Sequence, residues 1–333
     1  MQSAHKAALV GCGDVSVVHF EALENVDGVE LVAVCDTDPG TASRSSQQQG
    51  VPGYTNLAEM LEKERPDVVH VATPHDQHVP VILEALDAGV HVLTEKPLAN
   101  TLAEADRVID AASKTDLKVG VCFQNRYNLS SQRAHELLAS GELGNVKGGA
   151  GTVIWTRTAD YYHAKPWRGV WDSSGGGLLI NQAIHTLDLL QWLVGPVTDV
   201  DGTAYSRIFR DIIEVEDTAE MVLHHTGGIR SVFYATLAHA VADPVLLELV
   251  TEEAVIRIWG DMFVTYKDGR QEVVSERKAP TTGRSYWGLS HEYLIRDFYA
   301  KLSDPEPFWI SPAEGRKTLE IIDKVYEQSG IRP

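Results

Sequence analysis

Two short stretches of the chain carry side chains able to move a proton. The first is Thr94-Glu95-Lys96-Pro97, at the end of an apolar run. There an ammonium group could give a hydrogen bond or a proton to a substrate oxygen, with Glu95 orienting Lys96. The plain alternative for these residues is a charged surface turn. The second is Ser174-Gly175-Gly176-Gly177-Leu178-Leu179-Ile180-Asn181-Gln182-Ala183-Ile184-His185-Thr186-Leu187-Asp188. Its glycines permit a close approach to a helix predicted over 181–194. Asn181, His185 and Asp188 fall at i, i+4 and i+7 on one face of that helix. Such a polar stripe needs a cleft to point into, while Ile184, Leu187, Leu190 and Leu193 supply core. A lone histidine on a helix is commonly structural; one aligned with Asn and Asp behind a glycine run reads as functional.

A third stretch reads as a binder of phosphate. The residues Gly11-Cys12-Gly13-Asp14-Val15-Ser16 follow an apolar strand and open a helix. They match the first two glycines of the dinucleotide fingerprint, with Ser16 where a third glycine or alanine is usual. Gly11 permits the tight turn, and Gly13 lets a pyrophosphate approach backbone N–H groups at the positive helix end. Asp36 closes the next strand, VELVAVCD. A carboxylate there accepts from both ribose hydroxyls and repels a 2′-phosphate, which favours NAD over NADP. An ordinary strand-to-helix turn is the bland alternative. Thr73, Pro74 and His78 lie in a loop after a third buried strand and are expected to touch the cofactor. His75 and His78 have HxxH spacing, but no third ligand lies at a suggestive distance, so no metal is expected.

These residues must be held by a regular frame. Nearly continuous apolar strands at Ala7–Val10, Val29–Cys35, Val68–Ala72, His91–Thr94 and Lys118–Cys122 alternate with helices at Val17–Asn25, Ala58–Arg65, Pro80–Ala88 and Leu102–Lys114. This is the pattern of a parallel sheet covered on both faces. Thr101 and Glu104 have capping-box spacing at the start of the last helix. Beyond Cys122 the texture changes. A helix over Asn128–Ser140 precedes strands at Val146–Thr156, Thr218–His224, Ile229–Thr236, Leu246–Thr251, Ala254–Trp259 and Met262–Lys267. The short turns among the last three predict a mainly antiparallel sheet. Helices near Tyr286–Leu302 and Ala313–Ser329 close the chain, the final one able to return to the first domain. The fold class is therefore α/β: an N-terminal Rossmann domain with a doubly wound parallel sheet over 1–123, and a C-terminal α/β domain with an open, mainly antiparallel sheet over 124–333. His224, His225 and His291 read as strand and helix surface residues.

Composition narrows the partners. The chain has 333 residues, 44% of them hydrophobic, with 29 Lys+Arg against 47 Asp+Glu and a formal charge of −18. That is enough apolar material for two cores. An acidic surface repels phosphate backbones and anionic lipid, so neither nucleic acid nor a membrane is an expected partner. No apolar run reaches the roughly 18 residues of a membrane span, and the N-terminus lacks the features of a secretory signal, so a cytoplasmic location is expected. Cys12, Cys35 and Cys122 are scattered, as small core residues would be.

Taken together, GCGDVS at 11–16, EKP at 95–97 and GGGLLINQAIHTLD at 175–188 resemble the Gfo/Idh/MocA family of oxidoreductases, in its expected order and spacing across essentially the whole chain. The resemblance implies NAD as cofactor, a sugar, inositol or related polyol as substrate, and Lys96 with His185 as the catalytic pair. It also implies dimers or tetramers built on the exposed face of the second sheet. By the resemblance and their polarity, Gln124 and Arg126 line the same cleft. Glu95, Lys96 and Gln124 join the expected cofactor contacts, and Arg126, Tyr162, Trp167, Arg168, Asn181, His185 and Lys96 the substrate contacts. For the loop carrying Tyr162, Trp167 and Arg168, a dimer or domain contact is an equal alternative. One departure stands out: many members carry an aspartate where this chain has Asn181, and an amide can position a hydroxyl but cannot act as a base. Asp188 is left as the carboxylate able to orient the imidazole. Two other activities fit the scaffold, an NAD-assisted cleavage of glycosides and, if the catalytic pair were missing, a non-enzymatic NAD sensor.

Overall fold

The computed structural model describes residues 4–277 and 290–332. In chain order the first part runs β1 (His5–Val10), α1 (Ser16–Asn25), β2 (Val29–Cys35), α2 (Pro39–Gln49), β3 (Gly53–Tyr54), α3 (Leu57–Glu64), β4 (Val68–Val71), α4 (His78–Asp87), β5 (His91–Thr94), α5 (Leu102–Ala112) and β6 (Val119–Val121). The rest runs α6 (Leu129–Ser140), β7 (Val146–Ile154), α7 (Ala159–His163), α8 (Trp171–Ser174), α9 (Ile184–Val194), β8 (Val197–Tyr205), β9 (Thr218–His225), β10 (Arg230–Thr236), β11 (Leu246–Thr251), β12 (Ala254–Trp259), β13 (Asp261–Tyr266), β14 (Gln271–Val274), α10 (Ser290–Ala300) and α11 (Pro312–Ser329).

β1 to β6 form one sheet in the order β3-β2-β1-β4-β5-β6, every pair parallel. This is the doubly wound Rossmann order, and it puts the loops after β2, β1, β4 and β5 side by side along one edge. All four residues of β4 are buried, as a strand covered on both faces requires. Half of the capping box forms: Thr101 Oγ1 accepts from the Glu104 N–H at 3.2 Å, while the Glu104 carboxylate turns to Arg107.

The second sheet has eight strands in the order β14-β13-β12-β11-β7-β10-β9-β8, antiparallel except for the β7–β10 pair. One face packs under α9 and α6. The other is open.

The chain divides into two compact units, residues 4–124 with 290–316, and 125–277 with 317–332. Assigning everything past 123 to the second domain is therefore corrected. Helix α10 lies against α1, where Arg296 donates to the Asn25 carbonyl at 2.8 Å, and the Val121 N–H reaches the Ile310 carbonyl at 2.9 Å. The start of α11 also belongs to the first unit, with Gly315 against Val121 and Leu98. Residues 286–289 of the expected closing helix lie outside the described residues. Among the described residues, no helix is long and apolar enough to cross a membrane.

Candidate active site

In the first unit, the fingerprint loop is shaped by its two glycines in different ways. Gly11 has φ +91°, and a Cβ there would lie 2.6 Å from the Ala72 backbone, so the β1 loop touches the β4 loop through a bare Cα. A Cβ on Gly13 would meet nothing within 4 Å, which leaves space over the start of α1 for a ligand. Ser16 stands in for the third glycine, only 2% exposed, and its Oγ donates to the Gly13 carbonyl at 2.6 Å. Asp36 Oδ2 accepts from the Cys12 N–H at 2.9 Å and Oδ1 from the Asp38 N–H at 2.9 Å. The carboxylate at the end of β2 thus braces the fingerprint loop. Asp14 and Val15 complete the turn. These residues fit a dinucleotide: an open glycine at a helix N-terminus, flanked by a carboxylate on the next strand.

Thr73 and Pro74 lie on the loop after β4. His78 does not behave as a cofactor contact: it is fully buried, with Nδ1 2.7 Å from the Pro97 carbonyl and Nε2 3.0 Å from the Thr73 carbonyl. It ties the β4 loop to the EKP turn. Glu95, expected to touch cofactor or Lys96, is buried and instead bonds His19 Nε2 at 3.0 Å and His291 Nε2 at 3.1 Å. Reading His291 as a surface residue is therefore corrected, and so is His225, whose Nδ1 lies 2.7 Å from the Gly195 carbonyl in the interior. His224 stays at the surface beside Asp201. Lys96 remains half-buried at the carboxyl end of β5, and Gln124 is buried just past β6. All three cysteines are thiols of the interior or its margin; burial pushes Cys12 up to about 11 and Cys35 up to about 12, far from nucleophilic behaviour at neutral pH.

In the second unit, the glycine run packs rather than bends toward a ligand. A Cβ on Gly177 would sit 2.0 Å from the Glu216 carbonyl oxygen, and one on Gly176 2.2 Å from the Tyr326 hydroxyl. Glu216 accepts from the N–H groups of Gly177 and Leu179 and from the Tyr326 hydroxyl, each at 2.8 Å. That carboxylate holds the start of the next segment, which is not α-helical at first: Leu179–Ala183 is a π turn, and α9 begins at Ile184. Such turns are frequent at functional sites. A π turn uses more residues per revolution, so the regular face expected for Asn181, His185 and Asp188 does not hold. Asn181 and His185 are half-buried, whereas Asp188 is 1% exposed and accepts from Arg126 Nε at 2.8 Å and Nη2 at 2.7 Å. Arg126, expected to hold substrate, is 2% exposed and engaged by that carboxylate.

The loop before the glycines folds into an aromatic and cationic cluster. The Arg168 guanidinium lies 4.4 Å from the centre of the Tyr161 ring and 5.8 Å from that of Trp167, and Arg157 lies 5.1 Å from Tyr161 and 5.2 Å from Trp155. Gln182, in the π turn beside Asn181, donates to the Tyr161 hydroxyl at 2.8 Å. The loop is thus attached to the segment that carries His185. Tyr162 is 4% exposed and packs edge-on against Phe209 at 5.2 Å, a core residue rather than a substrate contact. Trp167 and Arg168 are half-buried. The loop from Tyr161 to Arg168 is expected from the sequence to offer aromatic faces; Arg157, just before it, and Gln182, after the glycines, carry no such expectation.

Comparison with known proteins agrees with this geometry. Residues 5–123 match the model of an oxidoreductase family with an NAD-binding Rossmann fold, and residues 131–257 match the GFO/IDH/MocA C-terminal domain. D-apiose dehydrogenase from Paraburkholderia graminis is 29% identical over 336 residues, spanning 96% of this chain and 86% of that protein. Inositol 2-dehydrogenase from Salmonella typhimurium is 28% identical over 231 residues, spanning 68% and 66%. Among solved structures, the WlbA dehydrogenase from Bordetella pertussis, in complex with NADH and UDP-GlcNAcA, superposes with a TM-score of 0.82 at 27% identity, covering 98% of this chain and 97% of that one. With both domains matched and the cofactor loop built as a Rossmann fingerprint, the chain is an NAD-binding oxidoreductase that belongs to the Gfo/Idh/MocA family.

Proposed function

We propose that the protein transfers a hydride between NAD(H) and a secondary alcohol or ketone of a sugar, inositol or related polyol, with Lys96 and His185 as its catalytic pair. One observation carries the reading. Along the edge of the first sheet, Asp36 ends β2, Gly13 follows β1 and Lys96 follows β5, in the spatial order β2-β1-β4-β5. This is a ruler for a dinucleotide: a ribose acceptor, then a pyrophosphate seat, then a cationic side chain on the nicotinamide side. The relatives that act on apiose and inositol and the neighbour that binds UDP-GlcNAcA support a polyhydroxylated substrate.

When bound, NAD supplies the hydride acceptor. In oxidation His185, or Lys96, takes the hydroxyl proton, and reduction reverses that transfer. Asn181 positions a neighbouring hydroxyl. Trp167 offers a face for the apolar side of a sugar ring, and Arg168 a donor for hydroxyl or acidic substituents. Thr73, Pro74 and Gln124 flank the nicotinamide half. Asp36 favours NAD over NADP by repelling a 2′-phosphate. The protein works as a homodimer or homotetramer in the cytoplasm, joined through the open face of the second sheet.

The test is a panel of sugars, inositols, sugar acids and glycosides screened for NADH formation. Lys96→Met and His185→Ala should then each lower kcat by about 10²-fold or more with NADH affinity kept. Near-normal turnover in both variants would sink the assignment, and a strong preference for NADP+ would remove the role given to Asp36.

A further inference from the structure

The first unit contains a buried polar chain that the reading above leaves unused. His70 Nε2 lies 3.0 Å from the Tyr299 hydroxyl and His70 Nδ1 lies 2.9 Å from His19 Nδ1. His19 Nε2 lies 3.0 Å, and His291 Nε2 3.1 Å, from the same oxygen of Glu95. The five side chains come from β4, α10, α1 and the end of β5, and all are buried. Away from water each polar atom must be matched, so the protons can be assigned.

A carboxylate only accepts, so both Nε2 atoms donate to it. A neutral His19 then accepts at Nδ1, which makes His70 donate from Nδ1. A neutral His70 accepts at Nε2, which the Tyr299 hydroxyl supplies. The whole chain is satisfied by neutral donors that end on one negative charge. His291 Nδ1 is buried with no partner among the described residues; a neutral imidazole leaves only a lone pair there, whereas an imidazolium would strand an N–H. Burial pushes His70 well below its ordinary range, in keeping with a neutral ring. For Glu95 burial acts upward, but the hydrogen bonds that His19 and His291 give it outweigh that and hold the carboxyl well below the usual range.

Among the described residues, three other titratable groups near this carboxylate are held neutral by burial. Cys122, beyond β6, lies against Glu95 and is kept a neutral thiol by burial. His78, on α4, feels both Glu95 and Lys96, and burial favours its neutral form. Tyr299 is held protonated, again by burial. The residue that follows Glu95 is Lys96.

We infer that the Tyr299–His70–His19–Glu95–His291 chain is a positioning device for Lys96: it fixes a carboxylate behind the EKP turn, and that charge keeps the Lys96 ammonium protonated to higher pH. Glu95 and its donors touch no substrate; they set the pH at which Lys96 exchanges its proton. The inference rests on Lys96 being the acid-base group of the proposed reaction, but its test needs no substrate. The full chain with NADH is labelled with a limiting amount of acetic anhydride at a series of pH values, and the Lys96 peptide is followed by mass spectrometry. The midpoint of its reactivity reports the protonation of that one amine.

In Glu95→Gln the Lys96 midpoint should fall by about one to three pH units, the range for removing an opposite charge nearby, while the other lysines keep theirs. Tyr299→Phe and His291→Leu should move it in the same direction by less, because each weakens the donors that keep Glu95 ionised. A merely structural role would lower the melting temperature without moving that midpoint. An unchanged midpoint in folded Glu95→Gln overturns the inference. Should that variant not fold, an unchanged midpoint in both Tyr299→Phe and His291→Leu does the same. Stoichiometric zinc in the purified protein would also overturn it, since His19, Glu95 and Cys122 would then be spent as ligands. A shifted midpoint combined with normal turnover in Lys96→Met and His185→Ala would instead leave this device standing and remove the proposed function.

Discussion

Asp188 takes two parallel hydrogen bonds from a single guanidinium, that of Arg126, and neither side chain is more than 2% exposed. The pair joins the turn after residue 124 to α9, the helix that carries His185. Removing one partner leaves a buried charge without its counter-ion, which costs far more than the pair contributes when intact. Asp188→Asn should therefore lose about 3–5 kcal/mol of stability in urea unfolding. The double variant Arg126→Met with Asp188→Leu should recover much of it. A loss below about 1 kcal/mol for Asp188→Asn would mean that the Arg126 charge is compensated elsewhere.

Gly11 and Gly13 separate folding from binding. Gly11→Ala places a Cβ 2.6 Å from the Ala72 backbone at φ +91°, so it should melt well below the parent and bind NADH poorly. At Gly13 the added methyl meets no protein atom, and thermal stability should stay within about 0.5 kcal/mol. It does occupy the space over the start of α1, so NADH affinity should fall at least about tenfold, about 1.4 kcal/mol. Fluorescence titration with NADH beside a melting curve checks both. Equal NADH affinity in Gly13→Ala and the parent would move the pyrophosphate seat elsewhere.

Much of this arrangement is legible in the sequence because burial on both faces writes itself as an apolar run. β1, β2, β4 and β5 are such runs, and the fingerprint, EKP and glycine motifs sit at their ends or at a helix start. What is not legible depends on partners far away in sequence. Helix α2 has almost no apolar face, with only Ala42 and Ser45 buried; it is bounded by Asp38, which accepts from the Thr41 N–H, and by a left-handed Gly50. The two-residue β3 is too short to show a period. His291 looks like a polar residue on an exposed helix until α10 is seen against α1, and the π turn at 179–183 appears only once Glu216 captures the Gly177 and Leu179 N–H groups. Arg126 and Asp188 look like site residues because charge usually signals a site; here each is the other's counter-ion.

Glu216 gives the protein a pH signature. Burial pushes its carboxyl up to about 7, against the partial offset of the Leu179 and Gly177 N–H groups and the Tyr326 hydroxyl. Between its ordinary range near 4.5 and about 7, the folded chain keeps a proton that the unfolded chain releases. Stability contributed by that group is full below the lower value and falls as pH rises through the window. Urea midpoints should decline from pH 5 to pH 8, and Glu216→Gln should flatten that decline while lowering stability by about 1–3 kcal/mol, because an amide offers N–H where an acceptor is needed. A Glu216→Gln variant with the parent's slope would place the titration on another group.

The open face of the second sheet carries the last prediction. Register places Val232 opposite Val222, Trp259 opposite Leu246 and Asp261, and Phe263 opposite Arg257 and Val273, all pointing away from α9. Val232, Trp259 and Val273 are each more than half exposed and Phe263 is 41% exposed. These exposed apolar side chains, with the Glu248–Arg257 ion pair between Val232 and Phe263, fit the interface proposed between subunits. A twofold pairing of the same face is the simplest closed assembly, because each copy then covers the other with an identical surface. Trp259→Asp combined with Phe263→Asp buries two unpaired charges in that interface and should release a smaller species in light scattering after size exclusion. Far-UV circular dichroism should not change, since both side chains point away from the core. The same mass for parent and variant would mean that subunits, if they associate, meet through another surface.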